Sequence, residues 1–407
     1  MLRKALPLLT ISLLAVSVLA GCTSSEAGTT PEDQAGRTAD NTPQLAPWIL
    51  PPDLAAEPEQ LEGMTIEDYD PVSTLRVPGF EVPTAKYPFV DVHGHWFRAP
   101  QFTGGAVDTL IAQFDSLNLA VSVNLSGSSG SRLAEAIEAT EGRQPSRFVT
   151  FANVTFDKVG APGWTENAVA QLAADFDAGA RGLKIYKNLG MDVKDVDGNR
   201  VAVDDPRLDA IWALCGERGM PVLIHTADPA LFWQPRNKYN ERWLELRLRP
   251  RRYRPADEFP PFDTIIGEQH AMFANHPETT FIAAHLGWLG SDLEQLSQLL
   301  DANPNVYTEI GAVVQELGRQ PKYARDWLIR YKDRVLMGKD FYNPVEFHTY
   351  FRVLETDHEY FPYYRKYHAF WRMYGLDLPD DVLRAVYYGN ALRIIPGIDA
   401  SLFPSAS

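Results

Sequence analysis

From Tyr87 onward the chain repeats one pattern: a short apolar run of strand character, then a longer amphipathic stretch. The runs are Phe89–Val92, Ala120–Leu125, Phe148–Asn153, Gly182–Tyr186, Pro221–His225, Thr280–His285, Val306–Ile310 and Arg334–Gly338. Continuous apolar strands separated by helices imply a parallel sheet covered on its outer face. Eight such units predict an α/β fold of the (β/α)8 barrel type rather than an open, doubly wound sheet. No phosphate-cradling glycine motif follows the first run, which argues against a dinucleotide fold. The helical stretches carry their own punctuation. Thr165 is the expected N-cap of one, Asp205-Pro206 starts another, and Gly216 and Gly219 close that second one.

Two connections are too long for simple crossovers. One follows strand five, roughly residues 228–265, and is dense in Trp, Arg, Tyr and Pro. The other follows strand eight, roughly 342–380, and is dense in Tyr, Phe, Trp and His. Both leave the C-terminal ends of strands, where a barrel keeps its active site, so both are expected to shape a pocket. Contacts in a homo-oligomer are the alternative use of these insertions.

The residues before the barrel read differently. Arg3 and Lys4 precede an uncharged apolar stretch from Leu6 to Ala20, too short to span a bilayer and right for a signal peptide. Residues 22–50 are rich in Ser, Thr, Gly, Pro and acids and cannot offset their own ordering entropy, so a flexible tether is expected. Residues 51–86 are Pro-rich and are expected to pack irregularly outside a barrel spanning 87–400. The chain carries 38 Lys and Arg against 53 Asp and Glu, which excludes a nucleic-acid backbone as partner. Of two cysteines, Cys215 lies in an apolar helical stretch and is expected to be a buried hydrophobe.

Chemistry-bearing residues gather at strand ends. His93-Gly94-His95 closes strand one, and in extended chain its imidazoles point to the same side. Two such ligands on one strand can hold one ion at Zn–N distances of about 2.1 Å. His225 ends strand five, His285 ends strand six and Asp340 follows strand eight, while Lys184 lies in strand four. Barrel closure brings these ends together, and jointly they point to a metal site. Trp96, Arg98 and Trp288 follow ligand positions and are candidate pocket residues. Glu309 in strand seven is either a supporting partner of the ligands or half of a buried ion pair. His270 and His276 are expected at the surface, and His348, His358 and His368 fall in the aromatic insertion.

Leu19-Ala20-Gly21-Cys22 resembles the lipobox of bacterial lipoproteins. That resemblance implies lipidation of Cys22, loss of residues 1–21, and anchoring to a bacterial membrane outside the cytoplasm, at the outer membrane or cell surface. The barrel resembles the amidohydrolase superfamily, in its amidohydrolase-related branch that includes aminocarboxymuconate-semialdehyde decarboxylase. The matching segments are Asp91-Val92-His93-Gly94-His95, Ala284-His285-Leu286-Gly287, Asp333 to Asp340, and Tyr388-Gly389-Asn390-Ala391-Leu392-Arg393. Lys339 departs from the small Ser or Thr usual beside the final aspartate.

The resemblance implies that His93, His95 and His225 bind Zn2+ or another divalent ion with Asp340 near it. Asp340 would accept a proton from water, and His285 would polarise or protonate the substrate or ligate a second metal. In binuclear relatives a lysine on strand four is carbamylated and bridges two ions. Lys184 either does this, binds a substrate carboxylate or pairs with Asp340. Lys187 is the less favoured bridge, because a three-residue step reverses its side of the strand. One ion is the preferred reading, two the alternative. The implied activity is hydrolysis of an amide, ester or lactone of a small extracytoplasmic substrate. Non-oxidative decarboxylation of a small carboxylic acid is the first alternative, with Arg98, Lys184 and Lys187 as a clamp, and ligand binding without turnover is the second.

Overall fold

The computed structural model describes residues 60–98, 102–368 and 370–404. Cys22, the signal-like stretch and the tether-like stretch lie outside them. Eight parallel strands run in chain order: β1 (Phe89–Gly94), β2 (Leu119–Asn124), β3 (Phe148–Thr150, resumed at Ala152–Asn153), β4 (Leu183–Ile185), β5 (Val222–Ile224), β6 (Phe281–Ala283), β7 (Val306–Glu309) and β8 (Val335–Leu336). Each pairs with the next, from Val90 opposite Val121 through Leu183 opposite Val222 to Thr308 opposite Val335. The ring closes where Val92 N–H donates to Met337 O at 3.0 Å and Asp340 N–H donates to His93 O at 2.8 Å. Gly94 and Asp340 form the last parallel bridge. The fold is therefore the expected (β/α)8 barrel.

Every residue of β4, β5 and β6 is buried, as strands covered on both faces require. Helices α1 (Gly105–Leu117), α2 (Ser131–Ala139), α3 (Trp164–Asp177) and α4 (Asp209–Glu217) link the first five strands. The α3 start corrects the expected cap. Gly163, at φ +75°, turns the chain into the helix, and Thr165 sits in the first turn with its hydroxyl donating to Arg207 O at 3.1 Å. Asp205 does cap as expected, accepting from Arg207 N–H at 3.0 Å ahead of Pro206.

Between β5 and β6 the chain forms the short α5 (Trp243–Leu248) and then α6 (Phe262–Asn275). Helix α7 (Leu293–Ala302) leads to β7, and α8 (Val314–Gly318) with α9 (Pro321–Arg330) leads to β8. Beyond β8 come α10 (Pro344–Glu355), an antiparallel ribbon of β9 (Phe361–Pro362) and β10 (Arg372–Met373), then α11 (Asp380–Arg384) and α12 (Asn390–Ile394). Residues 60–86 contain no helix or named strand. They reach both long connections: Glu67 pairs with Arg247, Asp70 with Lys366 at 2.5 Å, and the Tyr69 and Phe370 rings meet edge-on at 5.4 Å. Cys215 is fully buried. His270 and His276 are half-buried rather than at the surface, because α6 packs on the barrel and His276 meets Asp209 at the start of α4, at 3.1 Å.

Candidate metal centre and active site

The closure of the barrel builds the site. Asp91, inside β1, accepts N–H bonds from His93 at 3.1 Å and Lys339 at 2.9 Å, so one carboxylate fixes both segments that carry ligands. Its burial is complete and pushes its carboxyl up to about 7, against those two bonds. Gly94 has no alternative in this position. A Cβ there would fall 2.7 Å from Ser122 Oγ and 2.8 Å from Trp96 Nε1.

The imidazoles of His93 and of His95, just beyond β1, are each held in one tautomer. His93 Nδ1–H donates to Glu309 Oε1 at 2.9 Å. Glu309, fully buried, also accepts the N–H of His285 at 2.6 Å and that of Gly311. Around His95 the bonds form a chain: His95 Nδ1 to Ser126 Oγ at 3.0 Å, Ser126 to Tyr186 Oη at 3.2 Å, and Tyr186 O–H to Leu125 O at 3.0 Å. The terminal carbonyl can only accept, so the self-consistent assignment runs outward from a His95 Nδ1–H. Both Nε2 atoms then present lone pairs. His93 Nε2 is buried without a hydrogen-bond partner. Asp340 Oδ1 lies 3.6 Å from His93 Nε2 and 3.5 Å from His95 Nε2.

Among the described residues, His93, His95 and Asp340 form one group able to hold a metal ion, and His93, His285 and Glu309 form another. The first fits a divalent ion: two neutral imidazoles with their outer nitrogens anchored, an ionised carboxylate, and an orphaned lone pair pointing inward. The second does not leave His93 Nδ1 free, because Glu309 holds it. His225 joins neither group. His285 Nδ1–H donates to Gly311 O at 2.7 Å, which leaves its Nε2 to accept from His225 Nδ1 at 3.3 Å. His225 Nε2 is then a buried lone pair without a partner, beside the first group. Burial lowers His93 and His225 well below the usual histidine range and His95 to about 4, so all three are neutral at pH 7. Burial also works against charge on Asp340, but the basic groups around it, His93, His285, His95 and Lys184, keep its carboxyl low.

Lys184 is almost completely buried in β4, and its Nζ has no hydrogen-bond partner. Burial brings the ammonium down to about 7, against the pull of Asp340 and Glu309. An amine that is partly neutral at pH 7 is the form that can react with CO2. Lys187 does not share the position of Lys184: it reaches the chamber above the site and pairs with Asp228 at 2.7 Å.

His285 stands on a left-handed turn. His285, Leu286, Gly287 and Trp288 have φ of 59°, 56°, 60° and 57°, a conformation that costs roughly 1–2 kcal/mol for each non-glycine residue. The turn brings the Trp288 ring to 4.7 Å from the His285 ring, and the indole N–H donates to Ala227 O at 3.2 Å. Trp288 lines the chamber above the site. Trp96 does not: its indole donates to Ser122 Oγ at 3.0 Å and packs among Phe102, Phe114, Phe148 and Tyr342 behind β1. Arg98 is exposed and is not part of the chamber wall.

That chamber encloses about 130 Å³ against His225, His285, Trp288 and Asp340. Much of its outer wall comes from the long connections: Phe232, Arg242, Glu245 and Arg252 from the first, and Tyr363, Arg365 and His368 from the second. Of the three histidines in the second connection, His368 reaches the chamber. Sequence patterns flagged the composition of these segments but no particular residue, because no spacing rule governs irregular chain. Lys339 also finds its purpose. Its Nζ turns away from the site and meets Glu346 Oε2 at 2.6 Å and Phe341 O at 3.2 Å.

A barrel with a histidine–carboxylate centre at its C-terminal mouth defines a class of enzymes in which a divalent ion does the activating. The chain belongs to the amidohydrolase family, which it matches over residues 90–397. No curated protein matches it. Solved structures that resemble it include an uncharacterized TIM-barrel protein from Bordetella bronchiseptica, at 16% identity and TM-score 0.47, covering 76% of this chain and 99% of that one. A 2,6-dihydroxybenzoate decarboxylase complexed with 2,6-dihydroxybenzoate gives 13%, 0.47, 76% and 99%. 4-Oxalomesaconate hydratase from Rhodopseudomonas palustris gives 13%, 0.46, 77% and 97%. Likenesses of this strength carry nothing about reaction or substrate.

Proposed function

We propose that the chain is a metal-dependent hydrolase that activates water for attack on an amide, ester or lactone of a small substrate. The carrying observation is Asp340 Oδ1, set 3.5 and 3.6 Å from two imidazole nitrogens whose outer partners are already fixed. His93, His95 and Asp340 would hold the ion, with His225 Nε2 adjoining. A bound divalent ion supplies Lewis acidity and lowers the pKa of water from about 15.7 toward about 7. Asp340 is ionised and can take the proton released by water at its free oxygen, then return it to the leaving group. His285, anchored through Nδ1 to Gly311 O, holds His225 Nδ1–H with its Nε2 and so orients His225 beside the centre. Trp288 and the second connection wall the chamber beside the centre.

The test is turnover of simple esters, amides and lactones in isotopically labelled water. Label in the product acid, with kcat/KM falling at least about 100-fold in Asp340→Asn, supports the reading. Release of CO2 without water consumption overturns it in favour of non-oxidative decarboxylation of a small carboxylic acid. That second reading draws on the four cationic side chains of the chamber wall, of which Arg365 has no carboxylate partner among the described residues.

The reaction is further proposed to take place outside the cytoplasm, on a protein anchored through lipid on Cys22. The apolar stretch after Arg3 and Lys4 and the residues before Cys22 support this. Palmitate labelling that disappears in Cys22→Ser checks it.

A further inference from the structure

Four side chains on the chamber wall are cationic, and three of them have carboxylate partners, some shared with other arginines. Lys187 pairs with Asp228 at 2.7 Å. Arg242 is clamped between Glu245 at 3.0 Å and Glu316 at 2.7 Å, and Arg252 also pairs with Glu245. Arg365 is the exception. It sits between β9 and β10, half-buried, and no carboxylate lies within ion-pair distance among the described residues. Its guanidinium donates to the Tyr367 hydroxyl at 2.8 Å and lies over the Tyr364 ring at 5.6 Å. Neither partner is a carboxylate.

A chain with 53 acidic residues has no shortage of partners for an arginine. Withdrawing a guanidinium from water without an anion is costly, and a satisfied cation would sit more comfortably here. Arg365 shares its chamber with Asp340, His285 and Trp288. A ligand whose reacting group meets Asp340 therefore lies within a chamber that holds one uncompensated fork of N–H donors.

We infer that the substrate carries a carboxylate and that Arg365 binds it, with Phe232 and Trp288 flanking the body of the molecule. Guanidinium and carboxylate match in plane and spacing, so the contact orients the substrate as well as attracting it. Lys184, by contrast, lies beneath the centre on β4 and is not part of the chamber wall. This assignment rests on the chamber being the substrate site, and it concerns binding rather than turnover.

The experiment compares benzoate with its uncharged counterpart benzamide, by titration calorimetry on the purified full chain with its metal. Benzoate should bind more tightly by on the order of 10-fold or more. In Arg365→Gln that preference should fall by on the order of 10-fold, with benzamide affinity unchanged and the melting curve not lowered. Arg365→Lys keeps the charge without the fork and should retain only part of the preference; it carries the test alone should the glutamine variant fail to fold. Equal binding of the two probes to the wild type overturns the inference, as does a preference undiminished in Arg365→Gln or in Arg365→Lys. Because direct carboxylate–metal contact is common to all the variants, it cancels in the comparison. A protein that shows the Arg365-dependent preference yet hydrolyses nothing keeps this assignment and loses the hydrolase reading.

Discussion

Glu309 decides more than its position suggests. It binds His93 Nδ1–H, the His285 N–H and the Gly311 N–H, so it sets both a tautomer and the start of the left-handed turn. Glu309→Gln replaces an acceptor with an amide whose NH2 must face donors. Metal affinity should fall about 10- to 100-fold, read by competition with a chromophoric chelator. Unchanged affinity would mean that His93 needs no anchoring. Lys184 separates one ion from two. Its Nζ is buried and unpaired, so Lys184→Met should leave one ion per chain and raise the stability of the metal-free protein by about 1 kcal/mol. Two ions in the wild type and one in the variant, by elemental analysis, would establish the carbamate bridge instead. The imidazole pair was legible in sequence because strand periodicity fixes which side chains face together. The unpartnered guanidinium of Arg365 was not, because its significance lies in what three other cations are paired with.

At the level of elements, the eight strands were legible because each is a continuous apolar run bounded by helix signals. Their ends were not. His225 and His285 leave the ladder just beyond β5 and β6, where the chain turns to present them. Only Gly287 hints at the left-handed turn, since its other three residues are types that rarely adopt that conformation. The Lys339–Glu346 pair joins the β8 end to α10 and so fixes the extension that carries Arg365 and His368. The Lys339 side chain is fully buried, while that of Glu346 is 21% exposed. Removing the glutamate strands a buried cation, but removing the lysine leaves a carboxylate that water can reach. Glu346→Gln should therefore destabilise by about 2–3 kcal/mol, and Lys339→Met by less, in urea unfolding. The reverse order would show that the ammonium is satisfied by Phe341 O and the surrounding aromatic rings alone.

Across the whole molecule, six of nine histidines are held below their ordinary range, chiefly by burial: His93, His95, His225, His270, His358 and His368. A buried neutral histidine binds fewer protons folded than unfolded. The stability it confers is full above its unfolded pKa of 6.5 and is lost as pH falls below that value. The barrel should therefore weaken in mild acid, well above the pH at which surface carboxylates titrate. Metal binding reinforces the trend, because His93 and His95 can ligate only when neutral. His368 isolates the folding part of the effect. It is 4% exposed and no ligand candidate, and burial together with Arg242, Arg365, Arg252 and Arg319 pushes it down to about 2. Between about pH 7.5 and about pH 5.5 it alone should cost the metal-free wild type about 1 kcal/mol. His368→Asn should lose that much less over the same interval, whatever its stability at the upper pH. Urea unfolding at the two pH values measures the difference, and equal slopes would mean that His368 takes up its proton in the folded protein.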